Sequence, residues 1–254
     1  MADPVLATQG LEVGIAGHLI ARCDDLELAT GEVLVLIGKN GAGKSTYLRT
    51  LGGLLKPMSG QVLFGGRPQA EVKLEKEAAW LSQEEHLEFA WSVTEYVSLG
   101  RLAHHSGLSL SAEDRQKVAE ALAMVDAEDL ADRTVLELSG GERQRVRVAR
   151  ALAQDTPLIL MDEPTTHLDL EHQLAFLGLL EKLKREGKSI VVSLHDVFHA
   201  GQIGSRFLLF QNGVASHASS LTKEKLEATL SVGFEPTESG YLVPIVRRTT
   251  DYAG

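Results

Sequence analysis

Cysteine is almost missing: Cys23 is the only one in 254 residues, so no intramolecular disulfide can form, which fits a reducing compartment. Long apolar runs are missing too. A membrane-spanning helix needs roughly 18 apolar residues, whereas the longest runs here, "VLVLIG" and "SIVVSL", have the length of buried strands. The start, "MADPVLATQG", has no basic segment and no apolar core, and so does not read as a signal peptide. Positive charge is in deficit, with 25 Lys and Arg against 35 Asp and Glu and a net charge of −10. That balance argues against broad binding to nucleic acid or anionic lipid, both of which need cationic surface. Low-complexity tracts and internal repeats are absent as well. The expectation is a soluble chain that would need a protein partner to hold it at any membrane where it works.

What is present alternates strand and helix. "GEVLVLIG" (31–38) reads as a buried parallel strand ending in glycine, and "KSTYLRTLGGLL" follows with Leu48, Leu51 and Leu55 at helical spacing. Strands are expected at "QVLFGG" and "AAWLSQ", then a helical texture from 86 to about 138. There "SAEDRQKVAEALAMVD" carries Ser111 and Asp114 as a capping box and puts Val118, Ala121, Leu122 and Val125 on one face. Strands return at "PLILMDE" (157–163), "SIVVSLHD" (189–196) and "SRFLLFQNG" (205–213), with the helix "EHQLAFLGLLEKLKREG" between the first two. This implies a parallel-sheet α/β core with an inserted helical lobe. Residues after about 215 are less patterned and read as a short appendage.

"GKNGAGKST" fits G-x-x-x-x-G-K-[ST] and sits after a strand and before a helix, where its chemistry is needed. Gly38, Lys39, Asn40, Gly41, Ala42, Gly43, Lys44, Ser45 and Thr46 form the candidate phosphate loop. Its glycines let backbone N–H groups turn toward an anion, and the helix N-terminus adds partial positive charge. Lys44 would neutralise β- and γ-phosphate charge, and the Ser45 hydroxyl would complete a Mg²⁺ shell. "LILMDEP" then places Asp162 and Glu163 at the C-terminal edge of a buried strand, the edge at which open parallel sheets bind ligands. Asp162 would hold Mg²⁺ through water and Glu163 would act as general base. Taken alone, such a pair is more often a solvated strand end.

A second glycine loop, "LSGGERQ", opens an arginine-rich helix without any lysine. Ser139 and the Gly140–Gly141 pair can bring a hydroxyl and bare backbone N–H groups against an anion; the plain alternative is a tight turn capping the helix. The arginines at 143, 145, 147 and 150 are expected to be solvated or paired with acids. "GKNGAGKST", Gln83 in "LSQ", "LSGGERQ", "LILMDEP", "THLD" and "SLHD" occur in the order of the ATP-binding cassette (ABC) ATPases, which the chain resembles from about residue 5 to 215. "LSGGERQ" is similar to that family's signature motif.

The resemblance implies a P-loop NTPase (RecA-like) fold of mostly parallel sheet with an antiparallel β edge and an inserted helical subdomain. One domain would span 1–254: a nucleotide-binding core from 1–85 and 151–215, a helical signature subdomain 86–150 and a C-terminal appendage 216–254. It also implies ATP hydrolysis with Mg²⁺ by a homodimer, in which Ser139, Gly140, Gly141 and Glu142 close over ATP held by the other copy. Gln83 would reach Mg²⁺, His195 the γ-phosphate, and Asp169 the dimer seam. Without the family context, Gln83 is surface, His195 a plain polar residue and Asp169 a helix N-cap. His167 and His199 are left as structural. The aromatic residue on which such ATPases often stack adenine is missing between Leu11 and Leu28, where His18 is the nearest planar side chain.

"VSLGR", "THLDLEHQLAFLGLLEKL", "SLHDVFHA" and "SVGFEPTESGYLVPIV" look like the ATPases of iron-siderophore, haem and vitamin B12 importers. That likeness implies a peripheral position on the cytoplasmic face of the cell membrane. The partners would be two multi-spanning permease subunits, with an external substrate-binding protein acting indirectly and no nucleic acid. In the lobe, Phe89, Trp91, Tyr96 and Val97 fit either a groove for a partner helix or lobe core. Two other readings remain: a cytosolic, non-transport cassette ATPase, which would share every catalytic motif, and a P-loop phosphotransferase, which would have no use for "LSGGERQ".

Overall fold

A computed structural model describes residues 3–83, 89–104, 110–166, 168–237 and 242–245. His167 lies outside the described residues, as do parts of the importer-like closing segment. The chain opens with antiparallel strands, β1 (Leu6–Ile15), β2 (His18–Cys23) and β3 (Leu26–Leu28), before the buried β4 (Val33–Gly38). Helix α1 (Lys44–Leu51) follows and stops at Gly52, shorter than the leucine spacing suggests, because Gly53 turns into the left-handed region. Next come β5 (Ser59–Phe64), the short β6 (Arg67–Pro68), the single-turn α2 (Leu74–Glu77) and β7 (Ala78–Leu81).

Between β7 and the next strand lie α3 (Val93–Ser98), α4 (Ala112–Met124) and α5 (Gly140–Ala153). Each begins with a serine capping box: Ser92 with Glu95, Ser111 with Asp114, and Ser139 with Glu142. These boxes satisfy N–H groups that the first helical turn leaves without partners. Val118, Ala121, Leu122 and Val125 are all buried, as their spacing requires. Tyr96 and Val97 belong to the core, whereas Phe89 stays 60% exposed with its ring stacked on Trp91 at 5.3 Å. The aromatic segment is thus divided between the two readings.

Alternation then resumes with β8 (Leu158–Met161), α6 (Leu170–Arg185), β9 (Ser189–Ser193), α7 (Val197–Ile203), β10 (Arg206–Gln211) and β11 (Val214–Ala218). The expected unpatterned stretch after 215 is corrected here: β11 pairs antiparallel with β10 and parallel with β2, inside the main sheet. Its sequence, "VASHA", buries only small residues and so gives little apolar signal. Helix α8 (Lys223–Leu230) and a hairpin of β12 (Gly233–Pro236) and β13 (Leu242–Ile245) follow.

The main sheet runs β6-β5-β1-β2-β11-β10-β4-β9-β8-β7, with β3 on β1. From β10 to β7 it is parallel, and around β1 it is antiparallel. Alternation along β4 splits the core: Val33, Val35 and Ile37 join the layer containing α5 and α6, while Leu34 and Leu36 join Tyr47, Leu48 and Leu51 of α1. Each such aliphatic side chain removed from water contributes roughly 1.5–3 kcal/mol. Packing on both faces fixes the parallel strands, and their C-terminal ends bring residues 38, 162, 163 and 193 to one edge.

Candidate active site

Gly38 ends β4, and the loop beyond it turns through Gly41 at φ +77° and Gly43 at φ +111° before α1 begins at Lys44. Side-chain-bearing residues rarely hold those angles. Gly43 also lacks room, since a Cβ there would come 2.8 Å from Ile20 Cγ2. Lys44 is 4% exposed and donates from Nζ to the carbonyl oxygens of Gly38 at 2.9 Å and Lys39 at 3.2 Å. Burial lowers the pKa of Lys44 below its ordinary value, against the opposing pull of Glu163 and Asp162. The ammonium is therefore costly to hold until anionic charge arrives.

The neighbouring strands complete this edge. Ser45 Oγ donates to Asp162 Oδ1 at 3.1 Å, and Ser193 Oγ donates to the same oxygen at 2.9 Å. Ser193 Oγ also accepts the backbone N–H of Glu163 at 2.8 Å. That last bond secures a strained residue: Glu163 has φ +48°, a left-handed conformation costing on the order of 1–3 kcal/mol away from glycine. Sequence reasoning missed Ser193; the one signal was a serine ending an apolar strand parallel to the carboxylate strand.

Three side chains converge on the Glu163 carboxylate. His195 Nε2 is 2.7 Å from Oε1, Gln83 Nε2 donates to Oε2 at 3.0 Å, and Lys44 Nζ is 4.0 Å from Oε1. An ionised carboxylate only accepts, so the proton between it and His195 sits on Nε2. Gln83, expected at the metal, gives its amide nitrogen to Glu163 and lines the same cleft as Ser45. Ser45 Oγ and Asp162 Oδ1, 3.1 Å apart, are a small set of hard oxygen donors, which fits Mg²⁺ because that ion keeps most of its shell as water and phosphate. No cluster of three or more His, Cys, Asp or Glu side chains suited to a metal occurs among the described residues.

Gly41, Gly43, Lys44, Ser45, Gln83 and Glu163 line an open cleft of about 410 Å³, together with Ile15, Ile20, Asn40 and Thr46. His18 is not among its lining residues, so the planar candidate upstream of the loop gives way to two aliphatic ones. Among the described residues, none of 139–142 lines this cleft either.

Those residues sit instead at the start of α5. Ser139 Oγ accepts the Glu142 N–H at 3.3 Å, and Glu142 Oε2 accepts the Ser139 N–H at 2.8 Å. Arg133 Nη1 pairs with Glu142 Oε1 at 2.9 Å. Hydrogen bonds from Ser139, helped by Arg133, hold the Glu142 carboxyl below the usual carboxylate range. The Ser139 hydroxyl and N–H are thus both engaged with Glu142, while Ser139 and Gly140 lie exposed at the surface. Asp169 is the N-cap of α6, accepting from His172 N at 2.9 Å. The arginine expectation is corrected: Arg147 is buried and donates to Gln144 Oε1 and the Ser82 carbonyl, Arg145 donates to the carbonyls of Val125 and Asp126, and Arg150 lies over the Tyr96 ring. Guanidinium groups here reach backbone carbonyls, an amide oxygen and an aromatic face.

A phosphate loop with its lysine, a paired carboxylate edge and a separate serine–glycine helix start are the parts of one known ATPase family, and the family profile described as ABC transporter matches residues 23–166. The chain belongs to the ABC transporter family. It is 38% identical to the iron(3+)-hydroxamate import ATP-binding protein FhuC of Bacillus subtilis (strain 168), over 82% of this chain and 79% of that one. It is 43% identical to the hemin import ATP-binding protein HmuV of Pseudomonas aeruginosa, over 82% of this chain and 84% of that one. Among solved structures, a chain described as of metal-chelate type from an inward-facing ABC transporter superposes with a TM-score of 0.85 at 27% identity, covering 96% and 99% of the two chains. The dimeric, post-hydrolysis ATP-binding cassette MJ0796 bound to ADP and Pi superposes with a TM-score of 0.72 at 29% identity, covering 85% and 99%. The fold is the ABC ATPase fold, and the chain is an ATP hydrolase of that family.

Proposed function

We propose that this chain is the ATP-hydrolysing subunit of an importer for an iron–siderophore complex, haem or vitamin B12. Two copies work at the cytoplasmic face of a membrane beneath two multi-spanning permease subunits, fed by an external binding protein. No described helix is long and apolar enough to cross a membrane, so the permease subunits supply the attachment. The import names of FhuC and HmuV support the cargo class.

In this reading Lys44 and the loop N–H groups of residues 38–46 hold the phosphates of ATP. Ser45, Gln83 and Asp162 would hold Mg²⁺. When bound, Mg²⁺ neutralises charge between the β- and γ-phosphates. Glu163 takes the proton of the attacking water; His195 and Gln83 orient its carboxylate, and Ser193 fixes its backbone.

The observation that carries the two-chain reading is the separation of the loops: the cleft holding Lys44 contains none of residues 139–142, whose Ser139 and Gly140 are exposed elsewhere on the surface. Each copy then completes the other's site in an isologous pair. Leu170, next to Asp169, is 66% exposed and offers apolar surface for the same seam. Trapping tests this. With Glu163→Gln and ATP, sedimentation should show a dimer holding two nucleotides that falls apart without ATP; a lone monomer saturated with ATP would refute the pairing. Cargo class is tested separately, by co-purifying the membrane subunits and asking which ferric, haem or corrinoid compound stimulates hydrolysis in the reconstituted assembly.

A further inference from the structure

His172 lies in the first turn of α6 and is used by none of the chemistry above. Its backbone N–H donates to Asp169 Oδ1 at 2.9 Å, and its ring Nδ1 is 2.6 Å from the same oxygen. The other side of the ring lies against the signature loop. A Cβ added at Gly141 would fall inside the imidazole, overlapping Cδ2 and Nε2. One side chain therefore touches both the Asp169 turn and the second glycine of "LSGGERQ".

Beyond this contact α5 and α6 part. A cavity of about 460 Å³ separates them, with Val125, Phe176 and Leu179 among its walls. Gln144 also lines it, and its Nε2 is buried with no hydrogen-bond partner among the described residues. Empty volume supplies no packing contacts, so on this side the start of α5 leans on the His172 ring. The Asp169 carboxyl is held below its ordinary pKa by the backbone and ring hydrogen bonds of His172, and so remains an ionised acceptor through the neutral range.

We propose that His172 is a positioning residue that holds the signature loop and the Asp169 turn as one rigid unit, so that both engage the partner copy together. The inference rests on the two-chain reading above. His172 touches neither nucleotide nor reacting atoms; it removes motion that closure would otherwise have to freeze.

The test uses the full chain carrying Glu163→Gln, measuring by sedimentation the ATP concentration at which half the protein is dimeric. A fluorescent ATP analogue, titrated at low protein concentration, reports affinity for the monomer. Adding His172→Ala should raise the dimerisation midpoint about tenfold while monomer affinity stays within about twofold. His172→Gln keeps an N–H donor toward Asp169 and comparable bulk, and should restore most of the loss. An unchanged midpoint in His172→Ala overturns the proposal, and so does a shift that His172→Gln does not restore, which would mark a general structural lesion. If the Glu163→Gln parent itself stays monomeric with ATP, the two-chain reading fails first, and that outcome is distinct from both.

Discussion

At residues 38–46 and again at 139–142 the backbone turns through glycines into a helix, yet the two places treat charge in opposite ways. The phosphate loop holds a buried ammonium whose pKa is pushed down, beside a glutamate in a strained conformation. The signature loop is relaxed: Ser139 and Glu142 cap each other, Arg133 balances the carboxylate, and Gly140 stays exposed. The first stores unfavourable energy that an anion relieves; the second is preorganised and needs no relief. On the proposed reading, a site that must grip and cleave is built with strain, and a lid that only closes is built without it.

Removing the proposed base, Glu163, breaks the contrast most severely. Glu163→Gln should lower ATP turnover by roughly 10²–10⁴ with ATP binding retained. Phosphate release at saturating ATP and a parallel binding titration check this, and near-normal turnover would move the base elsewhere. Next in size is Ser193→Ala, which leaves the Glu163 N–H without its acceptor and Asp162 without one donor. A buried donor stripped of its partner costs roughly 1–3 kcal/mol. The melting temperature should fall by several degrees, and hydrolysis should drop more than ATP affinity does; an unchanged melting curve would show the strain at Glu163 is held by something else.

Acid should separate the two regions. Arg101 Nε pairs with Asp114 Oδ1 at 2.9 Å in the interior, and Arg101 Nη1 donates to the carbonyl of Ala153 at the end of α5. Hydrogen bonds from Ser111 first, then from Arg101, hold the Asp114 carboxyl well below the usual 3.8. The folded form thus binds that proton less tightly than the unfolded chain. Its stabilisation is complete above about pH 4 and is lost as pH falls below the ordinary value toward the depressed one. The sign at Lys44 is reversed: its lowered pKa is a penalty below that value, lifted as pH rises toward 10.5. Hydrogen exchange at pH 3 should loosen α4 and α5 ahead of β4 and β8; simultaneous loosening would show that the pair does not anchor the signature helix.

Much of this was legible in sequence because local rules and global fold agree. β4, β8 and β9 read as buried strands since packing on both faces demands continuous apolar residues, and Ser111 with Asp114 announced α4. What stayed hidden depends on contacts between distant segments. Ser193 matters only because β9 lies beside β8, and His172 only because α6 brings its ring under Gly141. Strand β11 was lost because Ala215 and Ala218 bury too little to show a pattern. Arg147 looked like surface charge, since nothing in its neighbours reveals that the Ser82 carbonyl waits for it.

The smallest effect concerns the cleft's other end, where charge plays no part. A bulge between Val13 and Gly14 shifts the β1–β2 register so that Ile15 pairs with His18, and Ile15 and Ile20 then line the cleft beside the phosphate loop. Ile15 is 44% exposed, leaving room for a larger side chain. If the base of the nucleotide rests there, aliphatic walls give it burial but no ring to stack on. Ile15→Tyr should then tighten nucleotide binding about twofold to tenfold, the equivalent of roughly 0.5–1.5 kcal/mol for an aromatic pair. The gain should be similar for ATP and GTP, because stacking reads the face of a base and not its hydrogen-bonding edge. Parallel titrations with both nucleotides decide it. A gain for neither places the base away from β1, and a gain for ATP alone means that a polar group near Asn40, and not the strand, reads the ring.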